Sequence, residues 1–289
     1  MIIGKWRKCG KAWVNMKKIT SKDNKTIKLC EQLESKKYRD KFDKYLIEGP
    51  NLIEEALKNE VLPEAIIVSE SYYERPELMQ LCNRYQNLKA KEEQNSLLLL
   101  EDKLFQQLMQ TENTQGILGI VQKREYKADI FFRAQQKSGS GNILVLDRLQ
   151  DPGNVGTIIR TADAAGYEGI IILKGTVDLF SPKVVRACTG SLFRMPYLFV
   201  DTPEEAVRLL RDYGKKVVST AFDTELYYYD VDLSRDIGLV IGNEGNGICQ
   251  SLIDNSDEVI KIPMSGSIES LNAAVAAAIL MYESVRTDK

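Results

Sequence analysis

A chain of 289 residues, 44% hydrophobic and 28% charged, has the make-up of a globular protein with one large domain or two ordinary ones. It contains no histidine, which excludes imidazole acid–base catalysis, Ser-His-Asp triads and the usual zinc-enzyme ligand sets. Its five cysteines are scattered and form no CxxC, and no apolar run approaches the roughly 18 residues that span a bilayer, so the expectation is a reducing cytoplasm, with no disulfide framework, metal site or membrane.

Net charge is −2 but uneven: residues 1–47 hold 14 Lys or Arg against 5 Asp or Glu. Such a basic end suits a phosphate-rich partner, although a solvated helix face has the same composition. The first stretch, "MIIGKWRKCGKAWVNMKK", is basic without an apolar core, and residues 1–19 are expected to be an extension, with Met16 an alternative start. A small α/β unit is expected over 20–124. Leu29 and Leu33 mark an amphipathic helix, "YLIEG" a strand, and Pro50 opens the helix "NLIEEALKN" with Leu52, Ile53, Ala56 and Leu57 at helical spacing; "EAIIVS" and "GILGIVQK" are further strands. The SGSG tract within 125–141 places a linker there, with "ADIFFRAQ" a short helix inside it.

From residue 142 to the end the runs "ILVLD", "GIIIL", "KVVSTAF", "IGLVIG" and "EVIKIP" are apolar and β-branched without polar alternation, the pattern of buried parallel strands in a doubly covered α/β sheet. The last helix, "SLNAAVAAAILMYESV", carries a stripe of Leu271, Ala274, Val275, Ala278, Ile279 and Tyr282. The stripe suits core packing, and its small alanines also suit close approach of a second chain.

Three strand-end loops are rich in polar and small residues: "DPGNVGTIIR", "IGNEGNGI" and "IPMSGSIESLNAA". In the first, Asn154 reads as a helix N-cap and Arg160 falls in the second turn of the helix that follows. The glycines of the second space as GxxGxG, which is neither a dinucleotide fingerprint nor a phosphate loop, so a nicotinamide-dependent oxidoreductase is not expected.

The three loops, in this order, resemble those of the SpoU (TrmH-like) family of RNA ribose methyltransferases. Asn154, Gly156 and Arg160 match the first family motif, Gly242 and Glu244 the second, and Pro263, Ser270, Leu271 and Asn272 the third; the resemblance covers about residues 142–285. Cys188 stands where the family often has Ser. "FDKYLIEGPNLIEEAL" resembles the start of the ribosomal-protein L30-like RNA-binding domain that many members carry. The resemblance implies a C-terminal α/β trefoil-knot domain, S-adenosylmethionine as cofactor, a homodimer with the active site near the subunit interface, and methylation of a ribose 2′-hydroxyl in RNA, ribosomal RNA before transfer RNA. A non-catalytic RNA-binding or assembly protein on the same scaffold is the alternative. Carried over residue by residue, Gly242, Ile262 and Leu271 become cofactor contacts, with Thr220 and Met264 from the same walls. A side chain at Gly242 is expected to fill space that the adenosine needs. Arg160 becomes the residue acting on the ribose, Asn154 positions it or the RNA, and Glu244 anchors either the loop or Arg160. Asn272 joins this catalytic set; Ser270 reads equally as a catalytic group and as the cap of the last helix. Arg186 is a candidate phosphate ligand.

Overall fold

The computed structural model describes residues 16–89, 96–109, 114–133, 141–267 and 270–286, and the backbone at 8–9 and 12–13. Most of the expected N-terminal extension, and positions 134–140 of the expected linker, lie outside the described residues. The chain divides into two compact units, residues 1–124 with 180–193, and residues 125–179 with 194–289.

In the first unit, Lys8–Cys9 (β1) and Ala12–Trp13 (β2) pair antiparallel. Lys17–Ile19 (β3), Lys44–Glu48 (β4), Ala65–Ser69 (β5), Leu97–Leu100 (β6) and Ile117–Gln122 (β7) form a mixed sheet of order β3-β6-β5-β7-β4. β3, β6 and β5 run parallel, whereas β7 is antiparallel to both β5 and β4. β5 is buried throughout, while β4 alternates with Tyr45 and Ile47 inward. Opposite Ile47 stands Gly119, where a Cβ would lie 2.9 Å from the Ile47 side chain, so the sheet needs glycine at that point.

Helix α1 (Lys25–Leu33) is capped by Asn24, whose side chain accepts from the Thr26 N–H, and buries Ile27, Cys30 and Leu33. Arg39 of α2 (Lys36–Phe42) is buried because it donates to the carbonyls of Leu33 (2.7 Å) and Glu34 (2.6 Å), which satisfies the end of α1. α3 (Pro50–Lys58) starts after Gly49, which holds φ 99°, and α4 (Glu70–Tyr73), α5 (Pro76–Leu88) and α6 (Asp102–Gln107) complete the covering helices. The segment 180–193 belongs to this unit: Phe180 packs on Tyr45, and α9 (Pro182–Ala187) carries Arg186 to within 3.5 Å of Glu48.

The second unit opens with α7 (Ala128–Arg133) and is built on Ile143–Leu146 (β8), Gly169–Leu173 (β9), Tyr197–Val200 (β10), Lys216–Thr220 (β11), Ile237–Ile241 (β12) and Glu258–Ile260 (β13). All six are parallel in the order β10-β9-β8-β12-β11-β13. β8 and β12 are neighbours in register, Leu146 opposite Ile241, so the loops that leave them emerge side by side at the carboxyl edge. Helices α8 (Pro152–Ala164), α10 (Pro203–Asp212), α11 (Gln250–Asp254) and α12 (Ala273–Glu283) complete the unit. Among the described residues no helix is long and apolar enough to cross a membrane.

Two details depart from the sequence reading. β10, whose short apolar run YLFV the sequence reading passed over, is an edge strand with Phe199 exposed. In α12 the buried residues are Ala274, Ala277, Leu280 and Met281, while Val275 and Tyr282 face out. The helix is apolar nearly all round, so periodicity alone does not select its buried face.

Candidate active site

The first strand-end loop begins at Asp147, buried at the tip of β8, and Arg148, whose backbone holds φ 57°. α8 then starts at Pro152. Its cap is Asp151, not Asn154: the Asp151 carboxylate accepts from the Asn154 N–H at 2.7 Å. Proline at the first helical position leaves only the residue before it to act as cap. Asn154 is thereby on the first turn with its side-chain amide free for the other loops. Arg160 is in the third turn rather than the second and is exposed, and it has no hydrogen-bond or ion-pair partner among the described residues.

The second loop, residues 242–248, folds back on itself. Asn243 and Gly247 exchange backbone bonds (3.1 and 2.9 Å), and the Asn243 side-chain oxygen accepts from the N–H groups of Gly245 and Asn246. Glycine at 242 is required by this fold: a Cβ there would lie 2.4 Å from the Ile248 nitrogen and 2.5 Å from the Gly247 carbonyl carbon. The close neighbour of Gly242 is the chain's own backbone.

Glu244 projects from this loop to the first. Its carboxylate accepts from the N–H groups of Gln150 (3.0 Å) and Asp151 (3.1 Å) and from Asn154 Nδ2 (3.0 Å). Partial burial works against the charged form, but these hydrogen bonds, the Asn154 amide foremost, hold the carboxyl below its usual range. Glu244 therefore anchors the 150–154 loop and has no bond to Arg160. Asn154 Oδ1 in turn accepts from Asn272 Nδ2 at 2.9 Å. Asn272 is the cap of α12, its oxygen accepting from Ala274 N (2.9 Å) and Val275 N (3.3 Å), so Ser270 is not the cap. One chain of side-chain bonds, Glu244–Asn154–Asn272, thus fastens all three loops together.

Beside this clasp lies a cavity of about 310 Å³. Thr220, Gly242, Ile262, Met264 and Leu271 all line it, together with Glu244 and Ser270. Arg160, Asn154 and Asn272 do not line it. Arg186 lies in the other unit, half-buried beside Glu48. The sequence reading missed Ala273, Ala276 and Leu280, which bring one side of α12 to the cavity, and Phe222 and Lys261. Alanines at i and i+3 just after a strand-end loop were the available signal, since only small side chains leave room for a ligand against a helix. The cavity is walled by aliphatic side chains and edged by strand-end backbone. That donor set suits a flat, mostly apolar heterocycle with polar edges, such as the adenosine of S-adenosylmethionine. Among the described residues no group of three or more Cys, Asp or Glu side chains is placed to hold a metal ion.

Comparison with known proteins agrees with this geometry. Residues 141–282 match the SpoU rRNA Methylase family, and residues 24–119 match the MRM3-like substrate binding domain. The chain is 34% identical over 267 residues to the 23S rRNA (guanosine(2553)-2'-O)-methyltransferase RlmP of Bacillus subtilis, an alignment covering 92% of this chain and 98% of that one. The chain belongs to the SpoU rRNA methylase family. Among solved structures, the AdoMet-bound rRNA methyltransferase from Sinorhizobium meliloti superposes with a TM-score of 0.81 at 31% identity, covering 94% of this chain and 98% of that one. The SpoU methyltransferase AviRb from Streptomyces viridochromogenes, in complex with AdoMet, gives 0.79 at 27% identity over 91% and 97%. This chain is accordingly an S-adenosylmethionine-dependent RNA 2′-O-methyltransferase of mixed α/β fold.

Proposed function

We propose that the chain methylates the ribose 2′-hydroxyl of a guanosine in 23S ribosomal RNA, in the cytoplasm, as a homodimer. The observation that carries this reading is the clasp Glu244–Asn154–Asn272 beside a cavity of adenosine character, in a chain aligned with 98% of a relative named for that reaction. Thr220, Gly242, Ile262, Met264 and Leu271 would hold S-adenosylmethionine, which supplies an electrophilic methyl group on a sulfonium sulfur. The chain's own task is to align the ribose oxygen with that group and to ease loss of its proton. Glu244 already accepts three hydrogen bonds that tie down the 150–154 loop and favour its charged form, which suits an anchor better than a proton acceptor. Arg160 is an exposed cation without a partner among the described residues, available to hold the phosphate next to the ribose and to stabilise charge developing on O2′.

Arg160 does not line the cavity, and a dimer supplies the missing geometry if this arginine serves the cavity of a second copy. α8, which carries Arg160, packs on α12, where Val275 and Tyr282 leave apolar surface exposed at 49% and 53%; such a face suits a subunit contact. The strand order, with β12 between β8 and β11 and β13 beyond β11, is compatible with the threaded trefoil knot that the family resemblance implies. In the first unit, the exposed lysines Lys37 and Lys41 lie against Tyr38 and Phe42 on α2, a pairing of cation and ring suited to RNA. Residues 20–124 with 180–193 would thus recognise RNA, and residues 125–179 with 194–289 carry the chemistry; the segment expected as a linker instead buries Phe131 and Phe132 of α7 in the second unit's core.

The test is to incubate the protein and S-adenosylmethionine with 23S rRNA from cells lacking the modification and to map ribose methylation. A new 2′-O-methylguanosine at the position that aligns with guanosine 2553 is expected. Methylation confined to transfer RNA, or none with any RNA, would overturn the reading.

A further inference from the structure

We infer that Arg148, gripped by buried Asp147, is a positioning residue that sets the cofactor-pocket loop 243–249. The inference rests on reading the cavity as the S-adenosylmethionine site and assigns a role to two residues outside it.

The Asp147 side chain is 1% exposed, and a carboxylate buried that deeply needs every partner it has. Its Oδ1 accepts from Arg148 Nε at 2.8 Å, and its Oδ2 accepts from Arg148 Nη2 at 3.0 Å and from the Cys249 N–H at 2.7 Å. Arg148 reaches the same loop twice more. Nη2 approaches the Gly247 carbonyl at 3.3 Å, and the Arg148 carbonyl accepts from Asn243 Nδ2 at 2.8 Å. Both ends of the loop are therefore tied to one dipeptide: Asn243 at its start, Gly247 and Cys249 at its close. Between these ties stand Glu244 and Gly245, which with Asn243 and Gly247 line the cavity.

The backbone explains why one dipeptide suffices. Arg148 holds φ 57°, a conformation that favours glycine and is costly for a side chain with a Cβ. A left-handed residue at the strand tip turns its carbonyl and its side chain toward the same neighbouring loop, so the guanidinium fork and the carbonyl act on it together. The far side is held as well. A Cβ on Gly175 would lie 3.1 Å from Arg148 Cγ, and the 175–177 turn is bonded to the same strand end through Thr176 Oγ1 to Leu146 O and Val177 N to Leu149 O. The bidentate fork, which lysine cannot reproduce, offsets the backbone cost.

The strained φ makes a discriminating variant available. Arg148→Gly keeps the backbone conformation without strain but leaves the buried Asp147 carboxylate without its guanidinium, so the variant should fold with a lowered Tm. S-adenosylmethionine affinity, measured by titration calorimetry on the whole protein well below that Tm, should fall about tenfold or more. Arg148→Lys should recover little of it. In the ligand-free protein, hydrogen exchange at residues 245–249 should quicken in Arg148→Gly while β8 and β12 keep their protection. Affinity unchanged in the folded Arg148→Gly protein, or exchange quickened throughout β8 and β12 as much as at residues 245–249, would overturn the positioning role. A wild-type protein that fails to bind S-adenosylmethionine would instead overturn the cavity assignment itself. Wild-type binding with an equally tight Arg148→Gly variant would overturn only the inference made here.

Discussion

Replacing Gly242 by alanine adds one methyl group, and the structure says where it goes. The new Cβ would stand 2.4 Å from the Ile248 nitrogen and 2.5 Å from the Gly247 carbonyl carbon, both backbone atoms that no rotamer change can move aside. Ordinary contact needs about 3.5 Å, so the loop must retreat by about 1 Å. That retreat is resisted by the Asn243–Gly247 backbone pair and by the Cys249 N–H bond to Asp147. Overpacking of this kind costs about 1–3 kcal/mol, which in a protein of this size lowers Tm by about 2–10 °C. Gly245 and Glu244 ride on the displaced segment, so S-adenosylmethionine affinity should fall at least about tenfold even though the methyl group itself points at protein. Differential scanning calorimetry with and without ligand, beside a binding titration, measures both effects. A Gly242→Ala protein with wild-type Tm and wild-type affinity would refute the reasoning. The expectation from the sequence, that a side chain at 242 fills space the adenosine needs, is corrected by these distances: the first atom added meets the chain's own backbone.

Asn272→Ala should remove both the cap of α12 and the link to Asn154, lowering stability by about 1 kcal/mol. Asn272→Asp keeps the cap but cannot donate to Asn154 Oδ1, so it should restore Tm without restoring methyl transfer; equal recovery of both would show the link to be idle. Glu244 has its folded-state pKa held below the ordinary 4.5, so its contribution to stability is present above that value and is lost as pH falls through the lower folded value. Glu244→Gln should therefore be less stable than the wild type near neutrality, and the two Tm curves should converge as pH falls through the lowered pKa of Glu244; a constant gap down to about pH 2 would contradict the assignment. Burial pushes the Cys30, Cys82 and Cys188 thiols up to about 12, so an alkylating reagent at pH 8 should modify none of them until the protein unfolds, as peptide mass spectrometry would read.

Much of the second unit was legible because its central strands are buried on both faces. β8, β9, β11, β12 and β13 each present an apolar, β-branched run, and the polar loops that follow β8, β12 and β13 stand out by contrast. β10 was missed because its run, YLFV, is short and holds a single β-branched residue, and β6, four leucines after a charged stretch, carried no alternation to separate strand from helix. The caps of α8 and α12 were misplaced for a local reason. Asn154 and Ser270 are both good capping residues, and the choice of Asp151 and Asn272 instead depends on where the chain first turns helical. The grip of Asp147 and Arg148 on residues 243–249 joins positions about a hundred apart, and no spacing rule reports a contact of that range. The same holds for segment 180–193, whose membership of the first unit arises from packing of Phe180 and Arg186 against β4.

The central claim is that this site transfers a methyl group to a ribose oxygen and that Arg160 acts on that step alone. Single-turnover methylation of 23S rRNA by Arg160→Ala, with S-adenosylmethionine binding and thermal melting measured on the same preparation, tests it most directly. An exposed side chain with no partner among the described residues should leave Tm and cofactor affinity at wild-type values, while the methylation rate falls about 100-fold or more and Arg160→Lys rescues little. Methyl transfer by Arg160→Ala at a near-normal rate would contradict the account.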